Sequence, residues 1–215
     1  MCSKAIEEYK QRLALSDEQK DVLVGLLLGD AHLETQNHGQ TYRLKVEQSA
    51  RHQAYVEHVY RLFEGWVQTP PQTERVVSRE QKSDTVWFQT VSHSAFRFYA
   101  HQFYDGLRKR VPQLIHRWLT PRGLAYWFMD DGSIKSKESK GVILNTHCYT
   151  YSEVDQLTQV LRSSFGLQAS IRTQNDGYQI YISGHSYEHL VGLIGPFVIQ
   201  EMRYKLPPER QNILA

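Results

Sequence analysis

Two apolar segments of this chain each end in an aspartate, and these two acids are the first candidates for chemistry. One segment runs from Leu23 to Ala31 and contains Asp30, and the other runs from Leu124 to Gly132 and contains Asp131. In both segments the acid follows the leading leucine by seven positions, which is about two turns of an α-helix. Burying an unpaired carboxylate is costly, so two acids at matching places indicate a function rather than chance.

The matched acids suggest a metal-dependent reaction at phosphate. If the two apolar helices pack about a pseudo-twofold axis, Asp30 and Asp131 come side by side, and the small residues Gly25, Gly29 and Ala125 would allow close packing. Two adjacent negative charges need a counterion, and a hard divalent cation such as Mg²⁺ suits carboxylate oxygens. This arrangement is typical of phosphoryl-transfer sites, in which metal ions activate water and stabilise the leaving oxygen.

Alternating polar and apolar residues predict strands with one basic, polar face in each half of the chain. Such a face can hold phosphates or read base edges, although a plain solvated sheet face gives the same alternation. Its recurrence in both halves favours DNA binding. The residues that we expect to contact DNA are Arg43, Lys45, Arg75, Arg172, Gln174, Gln179 and Tyr181.

The elements that must position these residues recur in the same order in both halves. After each apolar helix come a strand-like segment (40–48 and 142–147), a helix, and two further strands (74–79 with 85–91, and 167–174 with 178–183). Each half then ends with a lysine shortly before a proline, Lys109 and Lys205. We predict an α+β fold of two pseudo-symmetric α-β-β-α-β-β-α repeats, residues 1–115 and 116–215, with antiparallel sheets and paired core helices.

Local signals support individual elements of this arrangement. Thr150 and Glu153 have capping-box spacing at the start of a helix, and Asn175-Asp176-Gly177 is a strong hairpin turn. The four tryptophans are expected in the core: Trp66, Trp87, Trp118 and Trp127.

The composition excludes several classes of protein. The 215 residues are 40% hydrophobic and 22% charged, which argues against a disordered or collagen-like chain. The longest apolar run, Val22 to Leu28, is too short for a membrane span, and two cysteines are too few for a disulfide framework or a Cys-rich zinc site. The net charge of +2 neither demands nor excludes nucleic acid.

The two motifs and their flanks resemble the LAGLIDADG homing endonucleases, in particular the monomeric two-motif enzymes of organellar group I introns. The similarity extends from about Asp21 to Pro207 and includes Leu119-Thr120-Pro121, Leu144-Asn145-Thr146 and Tyr204-Lys205-Leu206-Pro207. The resemblance implies a saddle of sheets that binds a long, asymmetric site in double-stranded DNA. It also implies an endodeoxyribonuclease that hydrolyses phosphodiester bonds in both strands, leaves short 3′ overhangs and initiates intron homing. Mg²⁺ is the implied cofactor, and Mn²⁺ is expected to substitute.

The resemblance also implies a role for individual residues. Asp30 and Asp131 are the implied catalytic metal ligands, assisted by the backbone carbonyls of Gly29 and Asp130. Lys109 and Lys205 are the implied basic residues of the active site. Gln48 matches a position that orders water, and His147 is expected at the corresponding place in the second half, where glutamine is more usual.

Two other functions are compatible with the same scaffold. One is an RNA maturase that assists splicing of a group I intron, and the other is a DNA-binding regulator without catalysis. Retention of both aspartates and both lysines argues against the regulator, since a pure binder needs no paired acids near phosphates. We expect a monomer that does not contact membranes. Glu7 and Glu8 near the start argue against a targeting peptide, so the resemblance implies a protein encoded in a chloroplast or mitochondrion.

Overall fold

The computed structural model describes residues 3–77 and 82–207. The chain forms two compact units, Met1–Arg108 and Lys109–Ala215. These units are defined by packing, whereas the boundary expected after residue 115 is one of sequence repetition and stays a prediction. Among the helices of the described ranges, none combines the length and the apolar character that crossing a membrane requires.

The first unit contains a four-stranded antiparallel sheet with strand order β1-β2-β4-β3. Its strands are β1 (His32–Glu34), β2 (Arg43–Ser49), β3 (Gln72–Val77) and β4 (Lys82–Gln89), followed by the short β5 (Tyr104–Asp105). Its helices are α1 (Ser3–Lys10), α2 (Asp17–Leu28), α3 (Gln53–Phe63) and α4 (Arg97–Phe103).

The second unit contains a sheet of the same kind, with strand order β7-β8-β10-β9. The short strand β6 (Arg108–Lys109) lies at the unit boundary, and the sheet is formed by β7 (Gly132–Ser136), β8 (Ser139–Asn145), β9 (Ala169–Gln174) and β10 (Gly177–Ile182). The helices are α5 (Ile115–Trp118), α6 (Pro121–Asp131), α7 (Tyr151–Ser163) and α8 (Tyr187–Ile194), and a 3₁₀-helix covers Gln200–Lys205.

The predicted fold class is confirmed, because the order α-β-β-α-β-β-α runs from α2 to α4 and again from α6 to α8. The sequence did not locate the first strand of either repeat. β1 has only three residues, and β7 follows directly on the apolar helix, so neither gives an alternating pattern of its own. Both are held in place by antiparallel pairing with the next strand.

The two apolar segments form helices that are buried all round. Residues 22–28 of α2 and 123–129 of α6 are all buried, as expected for a helix without a polar face. Ser16 and Gln19 form a capping box at the start of α2. Thr120 caps α6 by accepting a hydrogen bond from the N–H of Gly123, and Pro121 occupies the first turn.

A helix covers one face of each sheet, and this fixes which side chains are buried. α3 packs against β2 and β4, and α7 packs against β9 and β10. In β2 the side chains of Leu44 and Val46 are buried, while Arg43 and Lys45 between them are partly exposed. The alternation that the sequence predicts is therefore present, with a polar face on the side of the sheet opposite the buried residues.

Two of the four tryptophans depart from the expectation. Trp66 and Trp127 are buried in the core, but Trp87 and Trp118 are only partly buried. Trp87 stands opposite Glu47 in the pairing of β4 with β2, so its side chain lies on the polar face of the first sheet. The residue type alone therefore does not show whether a tryptophan lies in the core or on the outward face of a strand.

Candidate active site and polar sheet faces

Asp30 lies just beyond the end of α2, in an exposed position. The helix ends at Leu28, and the N–H of Gly29 donates to the carbonyl of Gly25. The Asp30 carboxylate accepts a hydrogen bond of 2.7 Å from the side-chain amide of Gln48 on β2. The structure therefore brings Gln48 to the first acid, as the resemblance implies for a residue that acts beside it.

Asp131 is the last residue of α6 and is partly buried. Its carboxylate accepts a hydrogen bond of 3.1 Å from the indole N–H of Trp127, one helical turn earlier. Gly132 directly after it ends the helix, and a Cβ at that position would meet the carbonyl oxygen of Phe128 at 2.4 Å. A glycine after the acid thus allows the chain to pass from α6 into β7 while Asp131 stays at the helix end.

Lys205 binds the carboxyl-terminal end of α6. Its ammonium group donates to the backbone carbonyls of Met129, at 2.5 Å, and Asp130, at 2.7 Å. A cation here meets carbonyls without helical partners at the negative end of the helix dipole. The Asp130 carbonyl, expected to assist a metal, accepts a hydrogen bond from Lys205, and its role toward a metal stays a prediction. The metal role expected for the Gly29 carbonyl stays a prediction as well.

Lys109 is the first residue of the second unit, the unit that also contains Asp131. The charges of Lys109 and Asp131 both affect the pKa of the Cys148 thiol. Partial desolvation raises the pKa of the Cys148 thiol above its usual value although the residue is exposed, Lys109 opposes this rise, and Asp131 and Glu153 add to it. Lys205 therefore lies at the end of α6, while Lys109 and Asp131 both act electrostatically on the Cys148 thiol.

Asn145, which the sequence did not single out for a role, supports the second acid. Its side-chain amide donates to the backbone carbonyl of Asp131 at 2.9 Å, and its oxygen accepts from Gln179 of β10 at 2.7 Å. Asn145 stands opposite Gln179 in the strand pairing, so the contact follows from register. Only a polar residue directly after the apolar run of residues 142–144 hinted at it.

His147 lies beside the turn between β9 and β10. Its ring nitrogen Nδ1 is 3.7 Å from the carboxylate of Asp176, in the turn between β9 and β10. Counting from each acid, Leu33 pairs with Leu44 and Ile134 pairs with Val142, which makes Thr146 the counterpart of Gln48. By this count His147 lies one residue beyond that place, because alternation alone does not fix the register of two strands, and its equivalence with Gln48 stays a prediction. A catalytic role for His147 stays a prediction.

The polar face of the first sheet carries cations that are each paired with a carboxylate. Arg43 donates to Glu34 through both its Nε, at 3.0 Å, and a terminal nitrogen, at 2.7 Å. Lys45 lies 2.8 Å from Glu47 and 5.4 Å from the ring centre of Trp87. We call these outward-facing residues the first polar face: His32, Glu34, Arg43, Lys45, Glu47, Thr85, Trp87 and Gln89.

Arg75 does not belong to this face. It stands opposite Asp84 in the pairing of β3 with β4, and Asp84 lies two positions from the buried Val86, so Arg75 points to the other side of the sheet. There it is exposed and donates to Asp84 at 3.0 Å, and this bond raises the pKa of the guanidinium above its usual value. Its expected DNA contact stays a prediction, separate from that of Arg43 and Lys45.

The second sheet brings together all the DNA-contacting candidates expected of it. Arg172 is opposite Gln179, Gln174 is opposite Gly177, and Tyr181 shares the same face. The Arg172 guanidinium lies 3.9 Å from the ring centre of Tyr181, and Lys135 lies 5.4 Å from it. Here the cations contact an aromatic ring, whereas Arg43 and Lys45 on the first polar face are paired with carboxylates, and Lys45 also approaches Trp87. We call these outward-facing residues of the second sheet the second polar face: Lys135, Arg172, Gln174, Gln179 and Tyr181.

In each unit taken separately, the carboxylate at the helix end is a suitable ligand for a hard divalent cation. Asp30 and Asp131 each offer a carboxylate at a helix end, and each carboxylate keeps oxygen lone pairs beyond the one neutral hydrogen bond described for it. Across residues 3–77 and 82–207, no group of three or more His, Cys, Asp and Glu side chains is placed to hold a metal by itself. Water, carbonyl and phosphate oxygens are suitable further ligands for a cation bound to such a carboxylate.

Comparison with known proteins places this architecture. Residues 20–190 match the model of the LAGLIDADG DNA endonuclease family. The chain is 35% identical over 211 residues to "Probable intron-encoded endonuclease 1" of Wickerhamomyces canadensis, a match that covers 95% of this chain and 90% of that protein. It is 29% identical over 212 residues to "Cytochrome b mRNA maturase bI2" of Debaryomyces hansenii, covering 96% of this chain and 80% of the relative.

A solved structure with the same fold is that of the homing endonuclease I-WcaI bound to its DNA recognition sequence. It superposes with a TM-score of 0.89 at 33% sequence identity, over 95% of this chain and 93% of the other. Together with the repeated helix-end aspartates and the two antiparallel sheets, the family match identifies the chain: it belongs to the LAGLIDADG DNA endonuclease family.

Proposed function

We propose that this protein is a site-specific homing endonuclease that makes a metal-dependent double-strand break in a long, asymmetric DNA site. The observation that carries the proposal is the repeated carboxylate at the end of a buried helix, each with its own hydrogen-bond donor. Asp30 receives a bond from Gln48, and Asp131 receives one from Trp127. The names of the relatives support DNA cleavage, and the I-WcaI structure, whose title describes binding to its DNA recognition sequence, supports a duplex substrate.

In this proposal each unit contributes one carboxylate to phosphodiester hydrolysis, Asp30 or Asp131. A bound Mg²⁺ or Mn²⁺ would polarise a phosphate oxygen and lower the pKa of a coordinated water. Gln48 orients the Asp30 carboxylate and can hold a water beside it. Lys109 and Lys205 supply positive charge near Asp131, where negative charge develops on the phosphate.

The polar faces of the two sheets would hold the duplex. Arg43 and Lys45 serve the first unit, and Arg172, Gln179 and Tyr181 serve the second. Each of these side chains is partly exposed rather than buried, which leaves it within reach of a ligand. Base contacts in the major groove would provide sequence preference, while contacts to phosphate would provide affinity that depends on salt.

A second candidate function is that of an RNA maturase. The relative from Debaryomyces hansenii is called a maturase and covers nearly the whole chain, so the scaffold alone does not distinguish the two activities. Binding of the RNA transcript of the same intron, with accelerated splicing, would support this function beside or instead of cleavage. The names "intron-encoded" and "cytochrome b mRNA maturase" also support our proposal that the gene lies in an organelle.

The test uses the exons that flank the reading frame, joined without the intron and cloned in a plasmid. We expect the purified protein to linearise this plasmid with Mg²⁺ or Mn²⁺, to bind it without cutting in Ca²⁺, and to do neither cutting nor nicking in EDTA. Sequencing of the ends should show short 3′ overhangs. Binding without cleavage in every metal, together with accelerated splicing, would instead assign the maturase function.

A further inference from the structure

The first polar face is unusual for a surface that binds a polyanion, because its two central cations are each neutralised by a neighbouring carboxylate. Glu34 stands directly opposite Arg43 in the pairing of β1 with β2, and Glu47 follows Lys45 by two positions on β2. All four side chains therefore point to the same side of the sheet. A phosphate approaching this face meets the negative charges together with the positive ones.

These pairs are better shielded from water than an ordinary surface ion pair. The side chains of Arg43 and Glu34 are 21% and 30% exposed, and those of Lys45 and Glu47 are 25% and 31% exposed. By comparison, Arg75 and Asp84 on the other side of the sheet are 68% and 43% exposed. Partial shielding weakens the competition from water and salt, so the first polar face keeps its cations in fixed positions.

The protonation of the two glutamates agrees with this geometry. Partial burial by itself would raise the pKa of Glu34, but Arg43 and His32 together hold it below its usual value. Lys45 likewise holds the pKa of Glu47 below its usual value against the opposing effect of burial. Both glutamates are therefore ionised at neutral pH and remain available as hydrogen-bond acceptors.

The edge strand that carries Glu34 is also fixed. The backbone N–H of Leu33 donates to the hydroxyl of Tyr104 at 3.0 Å. Burial raises the pKa of Tyr104 to about 12, so the hydroxyl stays protonated beside Glu34. The second polar face differs from this arrangement, since Arg172 and Lys135 lie against the ring of Tyr181.

A fixed cation beside a fixed carboxylate matches the edge of a G·C base pair better than it matches phosphate. Arginine and lysine donate to the acceptors of guanine, and a carboxylate accepts from the amino group of cytosine. Against a phosphate the same carboxylate is repulsive, which lowers the affinity for DNA of the wrong sequence. The pairs therefore favour discrimination over affinity.

We propose that Glu34 and Glu47 are specificity-determining residues of the first unit, which hold Arg43 and Lys45 for the base edges of G·C pairs and penalise contact with phosphate. This inference rests on the proposed DNA-binding function. In this inference the ion pairs of the first unit provide discrimination, while the second unit contributes a cationic and aromatic surface.

The test compares Glu34→Gln and Glu47→Gln with Glu188→Gln. Glu188 on α8 pairs with Lys140 in the second unit and belongs to neither polar face, and its substitution makes the same change in net charge. Each variant and the unmodified protein are incubated with a randomised duplex library in Ca²⁺, and the bound fraction is sequenced. Dissociation constants for the selected duplex and for a scrambled duplex are then measured over a range of salt concentrations.

We expect Glu34→Gln and Glu47→Gln to bind the scrambled duplex more tightly and to lose about five- to tenfold in the ratio of specific to non-specific affinity. The dependence of non-specific binding on salt should become steeper by about one ion, because a released cation engages a phosphate. Preference for G·C pairs should fall at a few positions of the selected site and stay unchanged with Glu188→Gln. Glu34→Asp, which keeps the charge, should retain the low non-specific affinity.

The outcomes separate this inference from the proposed function. If the unmodified protein selects no sequence from the library, the proposed function itself fails. If it selects a sequence and both glutamine variants keep the same affinity ratio as Glu188→Gln, only the assignment of Glu34 and Glu47 is overturned. Circular dichroism and thermal unfolding of each variant show whether the compared proteins are folded.

Discussion

The ends of α2 and α6 carry the same acid at the same place in the repeat, but the surrounding structure supports the two acids differently. Asp131 is still part of its helix, so Trp127 can reach it from one turn below. Asp30 lies beyond the end of its helix, and its donor Gln48 comes from a strand. A repeated motif therefore repeats the reactive group without repeating the residues that hold it.

The difference extends to the backbone around the two acids. At the end of α6, Lys205 donates to the carbonyls of Met129 and Asp130. Asn145 donates to the carbonyl of Asp131. Asp131 therefore stands in a network that links it to β10 through Gln179. Loss of one contact should disturb the second acid by moving its backbone, whereas loss of the Gln48 amide should disturb the first acid directly at its carboxylate.

The largest effect on cutting is expected from substitution of the two acids, and the loss should be equally large for both. Asp30→Asn and Asp131→Asn should each reduce double-strand cutting by at least about 100-fold, because each removes a charge needed in the reaction. Binding should stay equal or become tighter, since a negative charge facing phosphate is lost. Cleavage and gel-shift assays on one duplex measure both quantities, with Asp17→Asn at the exposed start of α2 as the control. Cutting at the wild-type rate by either variant would remove that acid from the mechanism.

The lysines should show the next largest effect. Lys109→Met and Lys205→Met should each slow cutting by about tenfold or more in single turnover, because charge on the phosphate is no longer neutralised. Lys205→Met should also lower the free energy of unfolding, by about 1–3 kcal/mol, since it leaves two carbonyls of α6 without their donor. Lys140→Met in the same unit is the matched control. Equal losses of affinity with unchanged cutting of bound DNA would make both lysines simple DNA contacts.

Asn145 tests whether the second acid depends on its backbone support. Asn145→Leu keeps a similar side-chain volume but removes both hydrogen bonds, and we expect cutting to slow by about tenfold while affinity changes much less. Gln179→Leu removes only the hydrogen bond between Gln179 and Asn145, so it should slow cutting less than Asn145→Leu does. A positioning role requires this split between rate and affinity. A parallel loss of rate, affinity and thermal stability would indicate that Asn145 is structural only.

Removal of the donor to each carboxylate should have smaller and unequal effects. Gln48→Leu should slow cutting a few-fold with little change in stability, because Gln48 is partly exposed. Trp127→Phe should slow cutting to a similar extent and also lower the free energy of unfolding by about 1–3 kcal/mol, since Trp127 is fully buried. Denaturant unfolding separates the two, and Trp118→Phe, at a partly buried site, serves as the control. Equal stability of the two variants would contradict the difference in support.

Cys148 offers the smallest effect and the most local probe. In a Cys2→Ser background it is the sole thiol, and its raised pKa should make alkylation slow at neutral pH. Lys109→Met should slow alkylation further by about twofold, and Asp131→Asn should accelerate it by a similar factor, because the first charge lowers and the second raises the thiol pKa. The pH dependence of the alkylation rate measures this directly. Shifts of the thiol pKa in the opposite directions would contradict the effects assigned to Lys109 and Asp131.

Much of the fold follows from local sequence. Period and caps define the helices, as the predicted capping box of Thr150 and Glu153 is present at the start of α7. The turn at Asn175-Asp176 joins β9 and β10 as a two-residue hairpin, with Gly177 at a positive φ of 142°. These features depend on residues a few positions apart, so the sequence contains all that determines them.

The sequence by itself also determined the repeat, the family and the positions of the two acids. Only the tertiary structure decided the partners: Trp127 rather than a strand residue at Asp131, Asn145 rather than His147 at the end of α6, and a carboxylate beside Arg43 and Lys45. The physical reason is that periodicity shows which face a residue occupies, whereas a partner depends on the register between strands that are distant in the sequence.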